Sequence, residues 1–239
     1  MLDVTRDGGV VRIALDRPQQ RNALSLELIA ALRLELAAAA SDPAMRLVVL
    51  SGRGPSFCAG ADSGWLRALT DRDEALWERA TSELLALLVQ MTRFEKPLLA
   101  RLHGNVVGAG VALAACCDHV LCEDTTRFLL PELRLGMAPS VVSPFLIAKL
   151  GPAVAKSLLM AEPDFPASRA VACGLVQAVR PAGEMDAAED AAIKALTVAP
   201  AAAMAEFKRM FLALTLPDLD RQAELAFACA RQTFVGYAR

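Results

Sequence analysis

Aromatic side chains are scarce: the 239-residue chain has nine Phe, two Trp and one Tyr. Its core must therefore be built mainly from Ala, Leu and Val. Histidine is scarcer still, with only His103 and His119. Neither stands at ligand spacing from the six cysteines (Cys58, Cys116, Cys117, Cys122, Cys173, Cys229), and no two cysteines form a C-x-x-C pair, so the pattern offers no metal site. Four of the cysteines lie in apolar segments, where a free thiol acts as a small hydrophobe, the usage of a reducing cytoplasm. No block of like charge occurs and the formal net charge is −2, which gives nucleic acid nothing to hold. The longest uncharged apolar run, Val106–Cys117, falls well short of the ~20 residues a membrane span needs. The N-terminus also lacks the basic-then-apolar layout of a secretory signal. A soluble, cytoplasmic protein is expected, with a small molecule or its own copies as partner.

What is present is a globular balance of 55% apolar and 22% charged residues, on a chain long enough to bury a sizeable core unaided. Val10–Leu15 alternates as a half-buried strand after Gly8-Gly9, and Arg17-Pro18 ends it. Ser25 caps a helix from Leu26 to about Ala40, with Glu27 in the first turn, where a carboxylate favours the helix dipole. Leu47–Leu50 reads as a buried strand, the following stretch to Asp62 as loop, and a long amphipathic helix lies within Asp71–Thr92. Leu98–Leu102, Val120–Cys122 and Arg127–Leu130 read as short strands. Beyond Pro139 the spacing predicts helices near 141–150, 152–161 and 166–173, a strand at Leu175–Val179, and helices at about 183–197 and 200–213. Strand–helix alternation argues for an α/β core over 1–180, with a helical region over 181–239.

The stretch 97–140 organises the rest. The apolar run Leu98–Leu102 stops at His103-Gly104, and Gly108-Ala109-Gly110 opens a second run that reads as a buried helix. Its first N–H groups are free to face a ligand's oxygen, and its small side chains allow close approach, whether of ligand or of a packed helix. Glu132, isolated in an apolar stretch after Pro131, is the acid expected to share that cavity; its bland alternative is a structural acid paired with Arg134. His103 fits a strand-end turn, Asp118 orients the junction after the helix, and His119 has no assigned role.

Three stretches in this order, Asp16–Ser25 (DRPQQRNALS), Val48–Asp62 (VVLSGRGPSFCAGAD) and residues 97–140, resemble the crotonase superfamily, the enoyl-CoA hydratase/isomerase family. The resemblance implies a spiral core of ββα turns followed by a C-terminal helical trimerisation region, assembled as a homotrimer or a hexamer of two trimers. It implies an acyl-CoA thioester as substrate, with coenzyme A entering only as part of that substrate and no separate cofactor. Aligned on the motifs, the thioester oxygen would be held by the backbone N–H groups of Ala61 and Ala109, the latter standing where glycine is usual. Preorganised donors of this kind stabilise an enolate oxygen by about 3–4 kcal/mol each. By the same resemblance the CoA arm would lie along Ala23, Ala59 and Ala61, with Asp62 shaping the turn and Arg21 reaching a phosphate or merely solvated. Trp65 and Leu66 would line the acyl pocket beside Gly108, though Trp65 also reads as plain core. Trp65-Leu66, Cys116-Cys117-Asp118 and Gly136–Phe145 are most similar to bacterial methylglutaconyl-CoA hydratases.

Hydratases of the family typically use two glutamates. The first position falls on Ala112, which cannot handle a proton; the second falls on Glu132. One carboxylate suffices to move a proton from the α- to the γ-carbon, which is isomerase chemistry. Hydration by one glutamate needs help in placing the water, for which Ser140 is the candidate. The leading expectation is hydration of a short or branched, methylglutaconyl-like 2-enoyl-CoA, followed by enoyl-CoA isomerisation and then by a non-catalytic acyl-CoA-binding subunit. Relatives commonly run on through a terminal helix that helps cover CoA or a neighbouring subunit, and the end after Ala223–Arg231 leaves that CoA-arm lid an open question of the resemblance.

Overall fold

The computed structural model describes the backbone of residues 1–237 and side chains through Gly236. Strands β1 (Leu2–Asp7) and β2 (Val10–Leu15) form an antiparallel hairpin in which Leu2 faces Leu15 and Asp7 faces Val10. Helix α1 (Leu26–Ser41) is capped as expected, Ser25 Oγ accepting from Leu28 N–H at 3.2 Å. There follow β3 (Leu47–Gly52), β4 (Ser56–Cys58), α2 (Ser63–Asp71), α3 (Glu74–Thr92), β5 (Leu98–Leu102), β6 (Asn105–Val107) and α4 (Ala109–Ala115). Then come β7 (His119–Glu123), β8 (Arg127–Leu129), a 3₁₀ turn at Glu132–Leu135, α5 (Ser143–Leu150), α6 (Pro152–Ala161), β9 (Asp164–Pro166) and α7 (Ala167–Ala172). The chain continues through β10 (Ala178–Arg180), α8 (Met185–Thr197), α9 (Ala201–Thr215) and α10 (Leu219–Tyr237).

The strands sort into two sheets by alternation. A six-stranded sheet runs β1-β2-β3-β5-β7-β10, and a four-stranded one runs β4-β6-β8-β9. Each of the pairs β3/β4, β5/β6 and β7/β8 sends its first strand to the large sheet and its second to the small one, and successive turns pair in parallel. That is an α/β spiral of ββα turns with a helical C-terminal region. Parallel strands are covered on both faces, which is why Leu47–Leu50 of β3 and Leu98–Ala100 of β5 are apolar and buried. Leu28, Ile29, Leu32, Leu84 and Leu88 from α1 and α3 pack on one side, and Met185 and Ala192 of α8 cover Val10, Val49, Leu99 and Leu121 on the other.

Several details differ from the sequence-based expectations. Strand β1 carries three charged or polar residues over its exposed half and lies at the sheet edge, so no apolar run marks it. Helix α2 forms in the stretch between the Asp62 loop and the long amphipathic helix, and Asp62 caps it by accepting from Gly64 N–H at 2.9 Å. It breaks from α3 at Arg72, which turns to φ 57°. Pairing of β10 with β7 begins at Ala178 rather than Leu175, after a loop that buries Leu175 and Val176. A terminal helix of 19 residues follows α9. Helix α10 lies against α3, with Trp77 Nε1 donating to Ala230 O at 3.1 Å and the Trp77 and Phe234 rings 6.3 Å apart. Of the 181–239 region, Ala238 and Arg239 lie outside the described residues.

Candidate active site

The loop after β4 and the loop after β6 meet backbone to backbone. Gly60 has φ +83°, and a Cβ there would stand 2.8 Å from Val107 O and 3.6 Å from Ala109 N. Only a glycine allows that approach. Gly60 O in turn accepts from Leu24 N–H at 2.7 Å, and Leu24 O from Asp62 N–H at 3.3 Å, so the 23–24 segment is stitched to the same loop. Gly108 turns to φ +48° to open α4. Among the described residues, neither Ala61 N–H nor Ala109 N–H donates to a backbone carbonyl.

These two loops form one wall of a cavity of about 120 Å³. The 3₁₀ turn carrying Glu132, the segment Met137–Val142, and Trp65, Trp77, Thr81 and Leu84 from α2 and α3 complete it, with Ala230 and Thr233 of α10 closing the far side. Of the residues the sequence singles out, Ala59, Ala61, Trp65, Leu66, Ala109, Glu132 and Ser140 all line it. Gly108 adjoins it: a Cβ there would stand 2.9 Å from Glu132 Oε1.

The remaining candidates lie outside this wall. Ala23 is buried, and its carbonyl already accepts from Arg17 Nη1 at 2.6 Å. Arg21 is exposed in a left-handed turn, where its carbonyl holds Ala59 N–H at 2.9 Å. Asp62 is engaged as the α2 cap and in an ion pair with Arg17 at 3.1 Å. Ala112 is fully buried in α4 and absent from the wall. His103 Nε2 sits 2.8 Å from Gly54 O, and Asp118 accepts from Leu98 N–H at 2.7 Å, both as structural contacts.

Among the described wall residues Glu132 is the only acid. Its Oε2 is buried without a hydrogen-bond partner. Such an atom costs about 1–3 kcal/mol, and more when charged, so this carboxyl is held ready for something rather than satisfied by its surroundings. Burial pushes its pKa above the ordinary 4.5, against a backbone hydrogen bond at its own residue that pulls it down. A raised carboxyl pKa suits proton exchange near neutrality. Cys58, in the strand leading to the cavity, is no competing nucleophile, because burial pushes its thiol up to about 12. Among the described residues no three His, Cys, Asp or Glu side chains gather as a metal site would require.

Residues 5–235 match the family model for enoyl-CoA hydratase/isomerase. The chain belongs to the enoyl-CoA hydratase/isomerase family. A Thermus thermophilus homologue carrying the enoyl-CoA hydratase name is 35% identical over 231 residues, 95% of this chain and 90% of its own. The Escherichia coli 2,3-dehydroadipyl-CoA hydratase is 35% identical over 181 residues, 75% of this chain and 69% of its own. Among solved structures, an enoyl-CoA hydratase from Mycobacterium avium subsp. paratuberculosis superposes with a TM-score of 0.84 at 29% identity, covering 99% of this chain and 97% of that one. This family enzyme thus has the crotonase fold and acts on acyl-CoA thioesters.

Two residues that hold the family's first motif in place were not singled out from sequence. Asn22, fully buried at φ 56°, donates from Nδ2 to Arg53 O at 2.9 Å and Ser56 O at 2.8 Å, and its Oδ1 accepts from Arg17 N–H at 2.8 Å. Arg17 ties Ala23 O to Asp62. The available signal was Asn at a turn among charged neighbours, since Asn tolerates the left-handed region better than other non-glycine residues. Thr81 and Trp77 were missed because a helix face gives no sign of which cavity it walls.

Proposed function

We propose that this protein hydrates a short or branched 2-enoyl-CoA, with Glu132 as the sole proton-transfer residue. The thioester oxygen would accept hydrogen bonds from Ala61 N–H and Ala109 N–H. The Glu132 carboxylate takes a proton from water as the hydroxide oxygen bonds to Cβ. The π electrons pass to the thioester oxygen as an enolate, and the same carboxyl then returns the proton to Cα. Ser140, in the same wall, is the candidate for placing the water. The observation that carries this reading is the unpartnered, buried carboxyl oxygen of Glu132 beside the two free N–H groups. The small cavity supports a short acyl chain. The backbone at Ala23 and Ala59 and the exposed Arg21 would take the CoA arm. The likeness to methylglutaconyl-CoA hydratases supports branching, whereas the distal carboxylate of that acyl group finds no Lys, Arg or His among the described wall residues.

Isomerisation is the second reading, favoured by the fact that the wall holds one carboxylate and that Ala112 stands outside it. Glu132→Gln tests both against a merely binding subunit. It should abolish turnover, about 10²–10⁴-fold for loss of a general acid–base, while CoA affinity stays within a few-fold. Unchanged turnover would show that Glu132 is a bystander. A trimer is supported by α9, whose Phe207, Met210, Phe211 and Leu214 form an exposed apolar stripe at helical spacing that a neighbouring subunit would cover. Sedimentation at two protein concentrations checks the assembly.

A further inference from the structure

Glu132 is not the only unsatisfied group in the cavity wall. Trp65 Nε1 and Thr81 Oγ1 are also buried without hydrogen-bond partners, and both residues line the same cavity. Trp65 is 8% exposed and Thr81 1%. For Thr81 a partner within its own helix is within reach but not used. Inside a helix a threonine hydroxyl ordinarily bonds back to the carbonyl four residues earlier. Thr92, Thr197 and Thr215 of this chain do so, at 2.7, 2.7 and 2.8 Å. Thr81, in the middle of α3, does not. The neighbouring tryptophan makes the contrast from the other side, since Trp77 spends its indole N–H on Ala230 O while Trp65 keeps its own unspent.

A buried donor without an acceptor calls for a partner from outside the fold, and in a ligand cavity the ligand can supply it. Apart from Thr233, the neighbouring wall residues Trp77, Leu84 and Ala230 are apolar on this side, so a plain alkyl chain would leave Trp65 Nε1 and Thr81 Oγ1 orphaned. An anionic acyl end would meet no cation among the described wall residues, and the one charged group there is the acid Glu132.

We propose that the acyl slot recognises a neutral hydrogen-bond acceptor, a keto, ester or hydroxyl oxygen carried on the acyl chain beyond the reacting carbons, through Trp65 Nε1 and Thr81 Oγ1. This rests on the acyl-CoA reading of the cavity, though not on which reaction Glu132 performs. Trp65 and Thr81 act as specificity residues: they set which acyl chain is held, and Glu132 acts on it.

Saturated thioesters test this without turnover, because they can be neither hydrated nor isomerised. Calorimetric titration would compare pentanoyl-CoA with 4-oxopentanoyl-CoA, hexanoyl-CoA with 5-oxohexanoyl-CoA, and glutaryl-CoA as the anionic control. At one chain length or both, the oxo compound should bind about tenfold tighter than its alkyl partner, the worth of one good hydrogen bond. Thr81→Val and Trp65→Phe should each erase most of that preference, and glutaryl-CoA should bind more weakly than either neutral ligand. Thr81→Val should leave the melting temperature of the unliganded protein unchanged or raised, since it removes an unsatisfied hydroxyl. No oxo preference at either length, a preference that survives both substitutions, or a fall of several degrees on Thr81→Val would each overturn the proposal. Hydration of the oxo-2-enoyl-CoA of the preferred chain length, run alongside, keeps the two readings apart: its absence with the oxo preference intact refutes the hydratase and leaves this inference standing.

Discussion

The carboxyl of Glu132 rests against the α-carbon of Gly108, so that a methyl group built there would stand 2.9 Å from Glu132 Oε1. Gly108 is also at φ +48°, where a side chain is strained whatever the space. Gly108→Ala therefore pushes the acid away from its place and strains the turn that presents Ala109 N–H. A misplacement near 1 Å costs on the order of 10²-fold in rate. Steady-state kinetics should show kcat/KM falling by about that factor, with CoA affinity largely kept. Activity within a few-fold of the parent would mean that the two groups do not share a working geometry.

Burial raises the Glu132 pKa above its ordinary 4.5 in the folded state. The folded protein therefore holds this proton more tightly than the unfolded chain. The associated stability is complete below the unfolded value and is lost as pH rises through the raised folded value. Glu132→Gln removes the effect. Urea unfolding of the two proteins from pH 4 to pH 8 should show the variant gaining stability relative to the parent as pH rises. Since hydration needs the ionised form, the acidic limb of kcat/KM should lie above the ordinary glutamate range.

Asn22 joins Arg17, Arg53 and Ser56 through three hydrogen bonds while fully buried. Asn22→Ala leaves two carbonyls and one N–H without that partner and keeps an unfavourable backbone turn. A loss of about 2–4 kcal/mol in chemical denaturation is expected. A loss below about 0.5 kcal/mol, the size of an ordinary surface change, would show that the loop is held by other contacts.

Phe234, 6% exposed, packs beside Trp77 and fixes α10 over the far side of the cavity. Phe234→Ala should destabilise the protein by about 3–5 kcal/mol. Because Ala230 and Thr233 sit on the same helix, KM for acyl-CoA should rise while kcat changes less, Glu132 being untouched. A fall in kcat alone would place α10 in the chemistry rather than in the wall.

The central strands were legible because parallel strands covered on both faces are mostly apolar, as Leu47–Leu50 is throughout and Leu98–Leu102 is but for Arg101, which pairs with Asp186 and Glu189. The short strands β4, β6 and β8, of three residues each, were not all visible, since their pairing is set by the turns of the spiral and not by local pattern. Glu132 stood out because an acid in an apolar stretch is costly unless used. Asn22 did not, since its partners at 17, 53 and 56 come together only after folding. The same holds for Thr81, whose significance is a hydrogen bond it fails to make, and for α10, whose meaning depends on Trp77 lying beneath it.

The most direct test of single-glutamate hydration is to incubate the protein and Glu132→Gln with matched 2-enoyl-CoA and 3-enoyl-CoA thioesters in deuterated water and follow the products by mass. Hydration predicts uptake of one water by the 2-enoyl substrates, with deuterium at Cα, and none of this with Glu132→Gln. Migration of the double bond in the 3-enoyl substrates without water uptake by any 2-enoyl substrate would contradict hydration and make the enzyme an isomerase.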